Sequence, residues 1–295
     1  MLLYYCLGGG LGHITRYLAF CHTFAVQPDL ITVCNSVKER KIDLENVKIH
    51  IPQENDIQSR DLFRRWLTSV IVATRPRQFI IDAFPAGILG ELCDLKILEE
   101  IECVYLARHL KWNEYQKRLQ GKPPKFSRVL LLEELCPDHQ AFISNLTGAN
   151  VSEISLVDDE APQISDLPAD YWLIVHSEAG EELEALWNFA RETASIQDKK
   201  PAFVVVSPGK KPAFIPKEVL HLDVFPAHGM FAGAAKVFSG AGFNIVRQMR
   251  PYAHKHYILP FERSLDDQFF RASKVANAHC KKTAPFENRQ GVGVD

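Results

Sequence analysis

A chain of 295 residues, 46% hydrophobic and 24% charged, has room for about two domains that each bury a core, and its composition excludes disordered and collagen-like architectures. A net charge of −2 supplies no bulk attraction to nucleic acid, and no apolar run approaches the roughly 20 residues of a membrane-spanning helix. The seven cysteines, scattered with no C-x-x-C pair, suit neither a zinc site nor a disulfide framework, so a soluble protein of the reducing cytoplasm is expected.

The first predicted strand, Leu2–Leu7, lacks the basic region and small-residue cleavage site of a signal peptide. It runs directly into Gly8-Gly9-Gly10-Leu11-Gly12-His13, which opens a predicted helix over Ile14–Ala25. Glycines at such a turn permit positive φ and the close approach of another molecule, and the helix start beyond favours anions. Neither familiar nucleotide loop fits. In a dinucleotide G-x-G-x-x-G pattern the third glycine would fall on His13 or Thr15, and a P-loop would need lysine where His13 follows Gly12. Two readings remain: a tight strand-to-helix turn with His13 as a cap, or a substrate loop of Gly9, Gly10 and Gly12 with His13 aimed into a cleft as hydrogen-bond donor or general base.

Further strands are predicted at Leu30–Cys34, Val47–Ile51, Phe79–Ala83, Cys103–Ala107, Val129–Leu132 and Ala141–Ile143. Helix-like segments at Asp61–Ala73, Gly90–Glu99 and Lys111–Leu119 alternate with them, which implies an α/β fold with a parallel, doubly wound sheet. Asp82, at a strand's end, either orients His13 or caps the next helix. In Asp61–Ala73 an apolar stripe of Leu62, Phe63, Trp66, Leu67, Val70 and Ile71 lies beside Arg60, Arg64 and Arg65. Such a helix either packs on the core or makes a peripheral membrane contact.

The acidic, proline-bearing stretch Val157–Asp170 reads as a linker between Rossmann-like units over 1–165 and 166–295 that face a cleft. The second alternation comprises strand Tyr171–Val175, helix Glu181–Ala194, strand Ala202–Val206, a short strand near Val219–Val224 and strand Lys236–Phe238. A helix from Phe243, strand Tyr257–Leu259, a helix from Leu265 to about His279 and a fraying tail from Glu287 complete it. Ligands of open α/β sheets bind beyond the carboxyl ends of the strands. There, Ser239-Gly240-Ala241-Gly242-Phe243-Asn244 repeats the strand, small-residue turn and helix, with backbone N–H groups that would cradle a diphosphate. Downstream, Pro260–Gln268 (PFERSLDDQ) sets acids and an amide at a strand end, as sugar hydroxyls need; capping by Ser264 and Asp266 explains the same residues equally well.

Taken together, the SGAGFN turn, PFERSLDDQ and the amino-terminal GGGLGHITR resemble the GT-B glycosyltransferases, in the branch of the MurG-type N-acetylglucosaminyltransferases and the UDP-glucuronosyltransferases. The resemblance implies two Rossmann-like domains, the first for a small-molecule or lipid-linked acceptor and the second for a UDP- or dTDP-linked sugar, with no metal or other cofactor. It would bring Ser239, Gly240, Gly242, Phe243 and Asn244 to the diphosphate, bordered by Ser177, Ser207 and Lys210. Phe225 and its neighbours would face the base, and Asp267 and Gln268 the donor sugar. One departure is Gln248, which stands where the family usually places a ribose-binding glutamate and forfeits a charge-assisted hydrogen bond. The expected activity is hexosyl or N-acetylhexosaminyl transfer with His13 as base and Asp82 as its orienting partner. The short chain leaves little room for the crossover helices of larger relatives. It also suits a nucleotide-sugar hydrolase in which His13 activates water, while Gln248 suits a catalytically silent nucleotide-sugar-binding protein.

Overall fold

A computed structural model describes residues 1–8, 10–32, 44, 47–161 and 164–283. Gly9, Cys34 at the end of the second predicted strand, and the tail from Glu287 lie outside these residues.

The first sheet contains β1 (Leu2–Cys6), β2 (Asp29–Thr32), β3 (Ile49–His50), β4 (Gln78–Asp82), β5 (Glu102–Ala107), β6 (Phe126–Leu131) and β7 (Asn150–Glu153), in the order β3-β2-β1-β4-β5-β6-β7. The second contains β8 (Trp172–Val175), β9 (Phe203–Val206), β10 (Leu220–Leu222), β11 (Lys236–Ser239) and β12 (His256–Ile258), in the order β10-β9-β8-β11-β12. Every strand pair is parallel. The strand order reverses between β1 and β4 and again between β8 and β11, so each sheet opens a crevice at those strand ends.

A parallel sheet is covered on both faces, which requires strands that are apolar throughout rather than alternating. In β1, Leu3 and Tyr5 join Phe79 and Ile81 in one core, while Tyr4 and Cys6 join Ile80 in the other. β8 is split the same way: Trp172 and Ile174 meet Leu183, Leu186 and Trp187, and Leu173 enters the opposite core.

Among the described residues the α-helices are α1 (Leu11–Phe24), α2 (Arg60–Thr74), α3 (Trp112–Gln116), α4 (Pro137–Ser144), α5 (Glu181–Ile196), α6 (Phe243–Gln248) and α7 (Gln268–Thr283). On α2, Phe63, Leu67, Val70 and Ile71 are buried in the core. Its Arg64 donates to the carbonyl oxygens of Cys93 and Asp94, and Arg60 donates to Gln120. Among the described residues no helix is long and apolar enough to cross a membrane.

Two predicted elements are corrected. Ala141–Ile143 lies in α4 rather than in a strand: Pro137 and Asp138 start a helix, and Ile143 drops into the core. The seventh strand is instead the exposed β7, whose sequence NVSE carries no apolar signal. Gly90–Glu99 forms turns and a short 3-10 helix over Lys96–Glu100, because Gly90 and Asp94 take positive φ (73° and 50°) and break the α geometry.

The units are tied together beyond the linker. Helix α7 follows the second sheet in sequence yet packs on the first unit: Phe270 stacks on His109 at 3.9 Å between ring centroids, Arg271 pairs with Glu133 at 2.9 Å, and Lys274 pairs with Glu134 at 2.7 Å. A crossover helix is thus present in this short chain.

Candidate functional site

Helix α1 starts at the crevice of the first sheet. Gly10 is its extended N-cap and makes no side-chain bond, so His13 does not cap the helix. The His13 ring turns back over Gly8, where a Cβ would stand 2.1 Å from it; only glycine permits that approach. Nδ1 of His13 lies 2.7 Å from Oδ2 of Asp82 at the end of β4. Arg16, one helical turn beyond His13 and on the same face, donates through Nε to Oδ1 of Asp82 at 2.5 Å and through Nη2 to Oδ2 at 2.8 Å.

Arg16 and Asp82 are only 3% and 2% exposed, so their charges depend on one another. Burial alone would raise the Asp82 carboxyl, but Arg16 and then His13 outweigh it and hold the group well below the usual carboxylate range. Burial also lowers the His13 imidazole; Asp82 pulls the other way, and Arg16 and Arg108 add to the lowering. His13 is therefore neutral at neutral pH, with Nδ1 committed to Asp82 and Nε2 left to accept a proton. Cys6, His13 and Asp82 also bring one ligand atom each within 4.8 Å of one another. Both Asp82 oxygens are already bonded, however, and the Arg16 guanidinium opposes a second cation there.

His13 opens into a cleft of about 290 Å³ between the two sheets. The opposite wall is the carboxyl end of the second sheet, where Ser177 follows β8, Ser207 follows β9 and Ser239 ends β11. Gly240, Gly242, Phe243, Asn244, Phe225, Gln248 and Gln268 line the cleft as well, together with Gly12 from the first unit. Ser207 accepts or donates at 2.9 Å to His221 Nε2, and Ser239 lies 2.8 Å from His256 Nε2.

Several expected contacts are replaced by structural ones. Lys210 and Gly10 are not on the cleft lining, and neither is Asp267. Asp267 caps α7 by accepting from the Phe270 N–H at 2.9 Å, and its neighbour Asp266 lines the cleft instead. Asp266 pairs with Arg108 and, at 3.0 Å, with Arg271. Burial would raise its carboxyl, and the two arginines hold it well below the usual range. Gln268 Oε1 accepts from the N–H groups of Ala241 and Phe261, both at 3.0 Å, and so braces the glycine turn. Asn244 donates to the Gly12 carbonyl at 2.6 Å, and Phe243 enters the core of the first unit; both pin α6 to α1. Gln248 donates at 3.0 Å to Asp158 in the linker, which also accepts from both Nη atoms of Arg247 at 2.7 Å.

The sequence reading missed three arginines on this cleft: Arg16, Arg108 and Arg263. The spacing of Arg16 from His13 would have revealed it. Arg108, just beyond β5, and Arg263, bidentate to Glu182, carry no comparable local signal.

No protein-family model and no curated protein sequence matches the chain. Its fold does match solved structures across almost its full length. The spinosyn rhamnosyltransferase SpnG complexed with thymidine diphosphate has a TM-score of 0.62 at 13% identity, over 95% of this chain and 85% of that one. This is the GT-B glycosyltransferase fold. Other GT-B structures with this arrangement include the glycosyltransferase of kitacinnamycin, with a TM-score of 0.59 at 12% identity over 94% of this chain and 84% of that one. MurG of Acinetobacter baumannii gives 0.53 at 9% identity over 94% and 83%. A putative UDP-N-acetylglucosamine 2-epimerase from Listeria monocytogenes gives 0.55 at 8% identity over 95% and 88%. Identities this low concern the GT-B architecture and not the chemistry.

Proposed function

We propose that the chain is a glycosyltransferase that moves a sugar from a nucleotide-sugar donor to an acceptor hydroxyl. The observation that carries this reading is the His13–Asp82 pair facing three serines and a glycine turn across one cleft. The donor lies on the second sheet, with its diphosphate at Ser177, Ser207, Ser239 and the Gly240–Gly242 turn. The acceptor lies against α1. Nε2 of His13 takes the hydroxyl proton as the oxygen attacks the anomeric carbon and the nucleoside diphosphate leaves. Asp82 fixes the ring through Nδ1 and stabilises the imidazolium that forms. Burial, with Arg16 adding to it, keeps the resting imidazole neutral, and Arg16 shares the carboxylate and so weakens that stabilisation. Asp266 is the one carboxylate on the described lining and is held by two arginines, so the donor set favours metal-independent transfer. UDP- and dTDP-sugars, hexosyl or N-acetylhexosaminyl, are the donors to try; the acceptor is a small molecule or lipid-linked.

A second reading keeps the same cleft, since one fold neighbour is named as a putative UDP-N-acetylglucosamine 2-epimerase rather than as a transferase. Here His13 would activate water, giving a nucleotide-sugar hydrolase. The test is release of nucleoside diphosphate from a panel of nucleotide sugars, with and without acceptor alcohols. Release only with acceptor supports transfer; free sugar without acceptor supports hydrolysis; binding without turnover defeats both. His13→Ala is expected to lower turnover by roughly 10²- to 10⁴-fold while leaving diphosphate binding intact. Because the His13 imidazole is lowered, the acid limb of kcat/KM should fall below about pH 6.5, the ordinary histidine value. Full turnover in His13→Ala, or an acid limb above that value, would remove His13 from the mechanism.

A further inference from the structure

The two edge strands of the second sheet each send an imidazole inward to a serine on the cleft. His221 lies in β10 and His256 begins β12, and their Nε2 atoms stand 2.9 Å from Ser207 Oγ and 2.8 Å from Ser239 Oγ. Strands β9 and β11 flank β8, so the serines lie two strand spacings apart, about 10 Å. A diphosphate with a hydrogen bond at each end covers such a span. Both serines are buried, at 2% and 1% exposure, and both line the cleft. The arrangement is repeated on either side of β8, from different edge strands and with unrelated local sequences.

Proton bookkeeping assigns the direction of these bonds. A serine hydroxyl has one proton and two lone pairs. Ser239 Oγ lies 2.9 Å from the Gly240 carbonyl, and a proton directed there leaves its lone pairs to accept Nε2–H from the neighbouring imidazole at 2.8 Å. Ser207 Oγ has the His221 contact, and burial lowers the His221 imidazole, which is neutral and carries a single ring proton. An anion in the cleft needs a hydroxyl donor. Ser207 can supply one only if His221 likewise presents Nε2–H. Hydrogen bonds in such a chain polarise one another, so the imidazole strengthens the O–H beyond it.

We propose that His221 and His256 are positioning residues that donate Nε2–H to Ser207 and Ser239 and so aim both hydroxyl protons at the phosphate oxygens of a nucleoside diphosphate. On binding, the Ser239 proton turns from the Gly240 carbonyl to phosphate without giving up the imidazole bond. The cleft thereby gains two oriented neutral donors beside the arginines that line it. This inference rests on the donor-site reading above and names the side chains that set its preference for a diphosphate over a nucleoside.

Binding of UDP, dTDP, uridine and thymidine to the full chain is measured by ligand-detected NMR, for wild type and for His221→Leu, His256→Leu, His221→Gln and His256→Gln. Each leucine variant should weaken binding of the preferred diphosphate by roughly 5- to 20-fold and shift its nucleoside by less than about twofold. Glutamine keeps an N–H donor and should restore most of the loss. Wild-type nitrogen-15 NMR should find both rings protonated at Nε2, a result that does not depend on any variant folding. An Nδ1–H tautomer at either histidine, equal losses for nucleoside and diphosphate, or glutamine no better than leucine overturns the inference and leaves the donor site standing. Wild-type protein that binds neither diphosphate overturns the donor-site reading and this inference with it.

Discussion

On one side of the cleft, Asp82 is held by Arg16 and His13 in a buried network in which removing one group strands another. On the other side, Ser207 and Ser239 stand on strand ends with imidazoles and backbone around them. Folding sets the charges of the first wall before any ligand arrives, whereas the second wall keeps donors that can turn. A base must rest in one protonation state and one orientation before the reaction, and a buried, paired setting favours both. A site that loads and releases an anion gains more from donors without fixed charge.

The largest expected effect that tests this contrast is Asp82→Asn. It leaves the Arg16 guanidinium buried without its counter-charge and should cost about 3–5 kcal/mol in urea unfolding, together with most turnover. Ser207→Ala, on the other wall, should cost less than about 1 kcal/mol. Equal losses from the two substitutions would erase the distinction.

Acid should also act mainly on the first unit. His139 is buried there against Trp112, 4.0 Å between ring centroids, and burial pushes its imidazole down to about 3. The unfolded chain protonates the same histidine near 6.5, so between these values the unfolded state binds more protons and stability falls as pH falls. About 2 kcal/mol is gone by pH 5. His139→Phe should flatten that slope between pH 7 and 5 in urea unfolding, and an unchanged slope would assign it elsewhere. A modest effect is also expected of Asn244→Ala, which removes the bond to the Gly12 carbonyl that joins the walls. It should cost about 1 kcal/mol and raise hydrogen exchange at the start of α1, and an unaltered exchange pattern would show that this contact does not couple the two sides.

Both glycine turns are legible because each follows a short, largely apolar strand and precedes a helical period. His13 with Asp82 is legible as one of two options, since His13 lies in the first turn of the helix after one strand and Asp82 ends the neighbouring strand at the same crevice. Arg16 is readable in principle from its three-residue offset, although in sequence it looks like any other helix residue. The assignments that failed concern adjacent, chemically similar groups. Asp266 and Asp267 both open α7, and only the local backbone decides which one caps and which one reaches Arg108. Lys210 shares a loop with Ser207, but loop course and not spacing determines which side chain faces inward. The edge strand β7 is invisible in the sequence because NVSE is exposed and its pairing is made by the backbone alone.

Helix α7 has a mechanical consequence. The chain passes between the sheets twice, once through the acidic linker around Asp158 and once through the segment from Leu259 to Asp267 that delivers α7 to Glu133, Glu134 and His109. Two passages fix a line, and the easiest displacement of one lobe against the other is a swing about that line. A protease that severs the stretch between 157 and 170 would leave the two halves travelling together, and separating them would require stripping α7 from its seat as well.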